Sequence, residues 1–270
     1  MIEEVVARVL ASTRYRDVDR SLVDRLAAEE APRARSVDDA AKRVKRRLHQ
    51  AVGAYRGRPA ATAAEELRAT WSGSWDEPMR DACRRALERH ASTRERIAEI
   101  DRFYAEVWAA VGAAPQRLLD LACGLHPLAL PFIGLDPRAE YLACDADRRV
   151  LEEVEAFLEL VGQPHRTWPC DLVGGAPDAP ADVALLLKTV PLLDRQDPGA
   201  AARLLRDLSA GHVVVSFPSR SLGGRAGLER AYRARMDGLI GVLGARVSGS
   251  TELRFASELV FVLAMGGDRA

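Results

Sequence analysis

Charged side chains recur in this chain where apolar runs end. QRLL is followed by Asp120, YLAC by Asp145, the run at 165–169 by Asp171-Leu172, and VALLL by Lys188. A carboxylate at the place of Asp145 can accept both hydroxyls of a ribose. One at Asp171 can accept from an adenine amino group while the Leu172 backbone amide faces a ring nitrogen. After Asp120 come Ala122 and Gly124, and a glycine there lets the backbone approach a ligand. Upstream, HASTRER (90–96) puts Arg94 and Arg96 in the first turn of a helix, where the backbone dipole disfavours cations. These residues together point to a nucleotide-like cofactor whose carboxylate an arginine holds. FPSRSLGGR (217–225) adds a Gly-rich basic loop suited to a phosphate-bearing substrate.

Each residue also has a plainer reading. DLACGLHP carries one glycine where dinucleotide fingerprints carry three. Asp145 could cap the next helix, Lys188 could face solvent, and Arg94 and Arg96 could be surface cations. His126 reads as a loop residue rather than a base. The ordered series of acids at successive strand ends is stronger than any one member. No Ser-His-Asp or HExxH arrangement and no P-loop is present.

The elements that must position these residues fall into two textures. The first third reads as helices at 2–11, 18–30, 37–56, 63–70 and 77–90. A further helix runs to residue 111, with Ser92 and Glu95 as its capping box and Ile97, Ile100, Tyr104, Val107 and Trp108 on one face. In 37–56, Ala41, Val44, Leu48, Val52 and Tyr55 share a face, and Gly57 with Pro59 ends the helix. After residue 115, strands at 117–122, 140–144, 165–169, 182–187 and 212–217 alternate with helices at 147–161 and 199–209. A helix at 225–243 and a closing antiparallel pair at 245–255 and 257–264 follow. This order predicts an α/β fold, a parallel sheet covered on both faces, with ligands beyond the carboxyl ends of its strands. The expected division is a helical N-terminal domain over 1–112 and a Rossmann-like domain over 113–270.

At 270 residues, 48% hydrophobic and with no net charge, the chain has the composition of a globular protein. No apolar run approaches the roughly 18 residues of a membrane span. The N-terminus lacks the parts of a signal peptide, so a cytoplasmic location is expected. Cys83, Cys123, Cys144 and Cys170 show no metal-ligand spacing and are expected as reduced thiols; no metal site is expected. Residues 33–58 hold nine basic side chains against only Asp38 and Asp39. Such a surplus is a plausible phosphate-binding footprint, although a merely solvated face would read the same.

The chain resembles the aminoglycoside-resistance 16S rRNA methyltransferases that modify guanine 1405 at N7. The resemblance lies in AAKRVKRRLHQAVGAY (40–55), HASTRER (90–96), DLACGLHPLALPFIGL (120–135), CDAD (144–147) and PHRTWPCDL (164–172). It continues through ADVALLLKTVPLLDRQ (181–196), FPSRSLG (217–223) and SELVFV (257–262), spanning nearly the whole chain in order. It implies a Rossmann-like, seven-stranded S-adenosyl-L-methionine-dependent methyltransferase domain with an all-helical N-terminal domain. It implies 16S rRNA within the assembled 30S subunit as substrate, with no obligate protein partner, and resistance to the kanamycin and gentamicin class.

Carried over by motif, the cofactor contacts are Tyr55, His90, Ser92, Thr93, Arg94, Arg96, Ala122, Asp145, Asp171, Leu172, Leu187 and Gln196, beside Gly124. Arg96 would hold the methionine carboxylate, Asp145 the ribose, and Asp171-Leu172 the adenine. Lys42, Arg43, Lys45, Arg46, Arg47 and Arg220 would meet RNA, and Lys188 would orient the target nucleotide or a phosphate, with no general base expected. Three departures stand out. His126 replaces the Asn common in relatives, Tyr55 replaces a Phe, and Asp194 replaces a Glu. A methyltransferase acting elsewhere on RNA or on a small molecule, or a non-catalytic RNA-binding module, is the competing reading.

Overall fold

In a computed structural model, residues 1–50, 61–89, 91–219 and 228–266 are described, with the backbone alone for 61–63 and 91–92. Seven strands form one sheet: β1 (Arg117–Leu121), β2 (Glu140–Asp145), β3 (His165–Pro169), β4 (Ala181–Leu187), β5 (Ala210–Pro218), β6 (Val247–Arg254) and β7 (Glu258–Met265). Their spatial order is β3-β2-β1-β4-β5-β7-β6. β1 to β5 run parallel, and β7 enters antiparallel between β5 and β6. The order reverses between β1 and β4, which makes the crevice outside their carboxyl ends the expected ligand position.

The strand sequences explain this placement. VVV in β5 and VALL in β4 are buried, as strands covered on both faces require. β6, SGSTELR after its first residue, is mostly exposed and closes the edge with polar side chains. Along the central strands successive side chains enter opposite layers. Leu118, Tyr141, Val183, Leu185 and Val214 pack into one core, while Leu119, Leu142, Ala184, Leu186 and Val215 pack into the other. Each such side chain removed from water contributes about 1.5–3 kcal/mol.

The helices are α1 (Ile2–Leu10), α2 (Arg20–Glu30), α3 (Val37–Leu48), α4 (Ala61–Thr70), α5 (Glu77–Glu88), α6 (Ala91–Arg94), α7 (Ile100–Val111), α8 (Leu130–Ile133), α9 (Arg148–Val161), α10 (Val190–Gln196), α11 (Ala200–Asp207) and α12 (Glu229–Leu243). α4, α5, α7 and α9 share the first core; α10, α11 and α12 share the second. Only α1, α2 and α3 have a core apart from the sheet, built on Val5, Val9, Val23, Leu26, Val44 and Leu48. The helical first third therefore contains helices of two kinds: three that pack on each other and later ones that cover the sheet.

Local chemistry sets several boundaries. Ser36 caps α3 by accepting from the Asp39 amide, with Asp38 and Asp39 in the first turn and Lys45, Arg46 and Arg47 in the last, which suits the helix dipole. Gly112, at φ 102°, ends α7 in the left-handed conformation. α3 ends at Leu48; the remainder of the expected helix from 51 lies outside the described residues, as does the linker to residue 60.

The structure corrects the expected helix up to residue 111. Its backbone is helical already at Ala91, so Ser92 lies inside α6 rather than capping it. A turn at 95–96 and a 3-10 turn at Ile97–Glu99 then separate α6 from α7. The interruption falls where Glu95 and Arg96 leave the helix axis for partners on the sheet. α8 and α10 are additional to the expected elements. Both are short and carry Pro in the first turn, too brief for a helical period to register.

Candidate functional site

Each acid in the series stands at the carboxyl end of its strand. Asp145 closes β2, and its carboxylate is oriented by two backbone amides: Oδ2 accepts from Gly124 N at 3.0 Å and Oδ1 from Asp147 N at 2.9 Å. Burial is the largest influence on this carboxyl and raises its pKa to about 6, against the two amides that favour the anion. Capping of α9 falls to Asp147, which accepts from Arg149 N. Asp145 is thereby left as a preoriented acceptor beside the loop of Ala122 and Gly124.

Backbone strain marks the same crevice. Ala122 (φ 52°) and Lys188 (φ 57°) are the two non-glycine residues with positive φ among the described residues. They directly follow β1 and β4, the strands that flank the switch point. Such conformations cost about 1–3 kcal/mol each and collect at functional sites. Gly124 adds a third positive φ, 51°, on the first of these loops.

Asp120 lies deeper and is not a ligand acid here. Its Oδ2 accepts from the Tyr141 hydroxyl at 2.8 Å and lies 2.7 Å from His126 Nδ1, while His126 Nε2 meets the Tyr104 hydroxyl. All four side chains are buried. His126 is thus a linker in a buried network under the first loop rather than an open loop residue.

At the opposite side of the crevice lies a buried ion cluster. Glu258, at the start of β7 and 1% exposed, accepts from Arg96 Nη2 at 2.8 Å. Its Oε1 stands 3.4 Å from Lys188 Nζ, which also donates to Glu95 at 2.7 Å. Burial opposes ionisation of Glu258, but Arg96 and Lys188 outweigh it and hold the carboxyl below its usual range. The Arg96 guanidinium also lies 4.4 Å from the Phe103 ring centroid, and its Nε has no hydrogen-bond partner among the described residues. Arg94 is exposed, whereas Arg96 is buried, so the two arginines of HASTRER differ in kind. Thr93 is buried and donates to Leu87 O. Lys188 does not face solvent.

The third strand end carries a residue that sequence reasoning missed. Arg25 of α2 reaches Asp171 with Nε (2.5 Å to Oδ2) and Nη2 (3.1 Å to Oδ1), and Nη2 also donates to Gln196 Oε1 at 3.0 Å. Two of the expected cofactor residues, one after β3 and one at the end of α10, are therefore held by one guanidinium. Leu172 is buried, and Leu187, the last residue of β4, is half-buried. No sequence signal singles out Arg25 in an arginine-rich chain; its partners lie about 150 residues away. Asp194, one of the departures, accepts a two-pronged pair from Arg235 that ties α10 to α12.

The basic stripe of α3 is partly neutralised. Arg43 pairs with Asp39 and lies 4.0 Å from Glu30, while Arg47 pairs with Glu29 and Glu30. Lys42, Lys45 and Arg46 of that stripe have no ion pair among the described residues, and Lys42 and Arg46 are exposed. Tyr55, His90 and Arg220 lie outside the described residues, and so does the Ser92 side chain. The four cysteines are unbridged; Cys83, Cys123 and Cys144 are buried. No helix of the described residues is long and apolar enough to cross a membrane.

Comparison with known proteins follows this geometry. A family model described as ribosomal RNA methyltransferase (FmrO) matches residues 11–262. A 16S rRNA (guanine(1405)-N(7))-methyltransferase of Micromonospora echinospora is 38% identical over 268 residues, covering 97% of this chain and 96% of the relative. One from Frankia casuarinae is 40% identical, covering 97% and 92%. The crystal structure of the 16S rRNA methyltransferase RmtF with S-adenosyl-L-homocysteine superposes with a TM-score of 0.81 at 34% identity, covering 98% of both chains.

Proposed function

Since the chain belongs to the ribosomal RNA methyltransferase (FmrO) family, we infer that it is a 16S rRNA (guanine(1405)-N(7))-methyltransferase dependent on S-adenosyl-L-methionine. The observation that carries the reading onto these residues is the preoriented Asp145 carboxylate, beside the strained Ala122 and Gly124 at the switch point. That arrangement fits the nucleoside end of the cofactor. Asp145 would accept the ribose hydroxyls, and Asp171 with the Leu172 amide would hold the adenine. Leu187 and Gln196 would line the same pocket. Arg96 meets Glu258 through Nη2 while its Nε has no partner among the described residues, which leaves a donor for the methionine carboxylate. Thr93 and Arg94, with Tyr55, His90 and Ser92, complete the proposed set.

When bound, the cofactor supplies an electrophilic methyl group on a sulfonium. N7 of guanine carries an in-plane lone pair at neutral pH. Transfer of that methyl to N7 would leave the demethylated thioether and a cationic purine, with no proton removed from N7. No general base is required, and the residues must act by alignment and proximity. Lys188 would orient the target nucleotide. Its pairs with Glu95 and Glu258 offset its charge, so the ammonium opposes the developing purine cation less than a bare one would.

The substrate form is proposed to be the assembled 30S subunit, met in the cytoplasm without an obligate protein partner. Residues 1–112 would dock on it through phosphate contacts from Lys42, Arg43, Lys45, Arg46 and Arg47, with Arg220 from the segment after β5; the three without ion pairs would contribute most. The target base lies in a helical element and must leave the stack. The test is methylation of 30S subunits from a sensitive strain, followed by borohydride–aniline cleavage and primer extension. A new stop at guanine 1405, with kanamycin and gentamicin resistance in expressing cells, is expected. A stop at another purine, or none, overturns the assignment.

A further inference from the structure

The first three helices meet the nucleoside side of the site twice. Their backbone joins the loop after β2: Val18 bridges Asp147, with Asp19 N donating to Ala146 O and Arg148 N to Asp17 O, both at 2.8 Å. This fixes the segment that follows Asp145. Independently, the Arg25 fork spans from α2 to Asp171 after β3 and Gln196 at the end of α10. Arg25 is itself held by Glu29, one turn along α2, which also accepts from Arg47 of α3.

Counting donors and acceptors shows what the fork decides. An ionised carboxylate offers about four lone-pair sites. Arg25 takes one on each oxygen of Asp171, and the Val173 amide takes another on Oδ1 at 3.2 Å. About one acceptor site is left, enough for one amino hydrogen. The Gln196 oxygen spends one of its two lone pairs on Arg25, which fixes how the amide is turned and leaves both NH2 donors for a neighbouring base. One guanidinium thus orients the acceptor that Asp171 presents after β3 and the amide of Gln196 at the end of α10. The Asp171 acceptor suits an exocyclic amino group, and the Gln196 NH2 suits an unprotonated ring nitrogen.

We propose that Arg25 is a positioning residue for the cofactor's adenine, making base discrimination depend on a side chain of the N-terminal helices. This rests on the assignment of Asp171 to adenine made above. Planarity and two-pronged geometry are essential to the role, and a lysine ammonium cannot reach Asp171 and Gln196 in the same way.

The test measures calorimetric affinity for S-adenosylhomocysteine and for S-inosylhomocysteine, in which the 6-amino group is replaced by oxygen. The proteins are the full chain, Arg25→Lys, Arg25→Ala and Asp171→Asn, each melted without ligand to verify folding. The wild-type chain should favour the adenosyl compound strongly. Arg25→Lys, and Arg25→Ala where it folds, should lower that preference by about 10-fold, the scale of one charged hydrogen bond. A wild-type preference in both Arg25 variants, with loss in Asp171→Asn, overturns the proposal while leaving the Asp171 assignment standing. A wild-type preference in all three overturns both. A parallel fall in affinity for both compounds, with the ratio intact, assigns Arg25 to the fold alone and also overturns it.

Discussion

Glu258→Gln tests the electrostatics of the site most directly. Glu258 is fully enclosed and faces two cations, Arg96 at 2.8 Å and Lys188 at 3.4 Å. Glutamine keeps the shape and removes the charge. Lys188 retains Glu95, whose side chain is 40% exposed, so its compensation is weakened by solvent. Arg96 retains the Phe103 face. Breaking a buried pair by removing one partner costs about 3–5 kcal/mol, and these residual contacts place the expected loss near the lower end, about 3 kcal/mol. At roughly 2–4 °C per kcal/mol for chains of this size, the melting temperature should fall by about 6–12 °C. The assay is urea unfolding with and without S-adenosylhomocysteine. Its carboxylate would restore a negative charge near Arg96, so the ligand should stabilise the variant more than the wild type. A loss below about 1 kcal/mol would refute the claim that Arg96 and Lys188 are desolvated cations here. Equal ligand stabilisation in both proteins would refute the placement of the carboxylate at Arg96.

Three further outcomes are expected. The Asp145 pKa lies near 6, above its unfolded value, so its ionisation lowers fold stability as pH rises through about 4 to 6, and that cost is fully present above 6. Ribose hydroxyls need the anion, so calorimetric affinity for S-adenosylhomocysteine should weaken as pH falls below about 6, and Asp145→Asn should bind weakly with no such pH dependence. Replacing Lys42, Lys45 and Arg46 together with Ala should flatten the salt dependence of 30S binding by about 2–3 in log–log slope while leaving cofactor affinity unchanged. Equal loss of both would count against a docking role. Lys188→Met should impair methylation of 30S subunits far more than cofactor binding, and undiminished methylation would remove Lys188 from the reaction.

The architecture was legible because its signals are local. Apolar runs of strand length, alternating with amphipathic stretches, gave all seven strands to within three residues at each end. The acids at their carboxyl ends stand where a parallel sheet must put them. The expected helix to residue 111 was legible only in part, because Glu95 and Arg96 are drawn away by Lys188 and Glu258. α8 and α10 were illegible, since one or two proline-headed turns are too short to show a helical period.

Sequence alone therefore determined the fold class, the family and the order of the candidate ligand acids, all of which depend on neighbours in the chain. Tertiary structure decided the partners. Arg96 turns inward to Glu258 across 162 residues, and Arg25 joins Asp171 across 146. His126 becomes a buried link between Asp120 and Tyr104, and Arg47 of α3 is taken up by Glu29 and Glu30 of α2. A charge in the sequence has a sign but no partner. Which opposite charge it meets, and how little water reaches the pair, is fixed only when distant segments pack together.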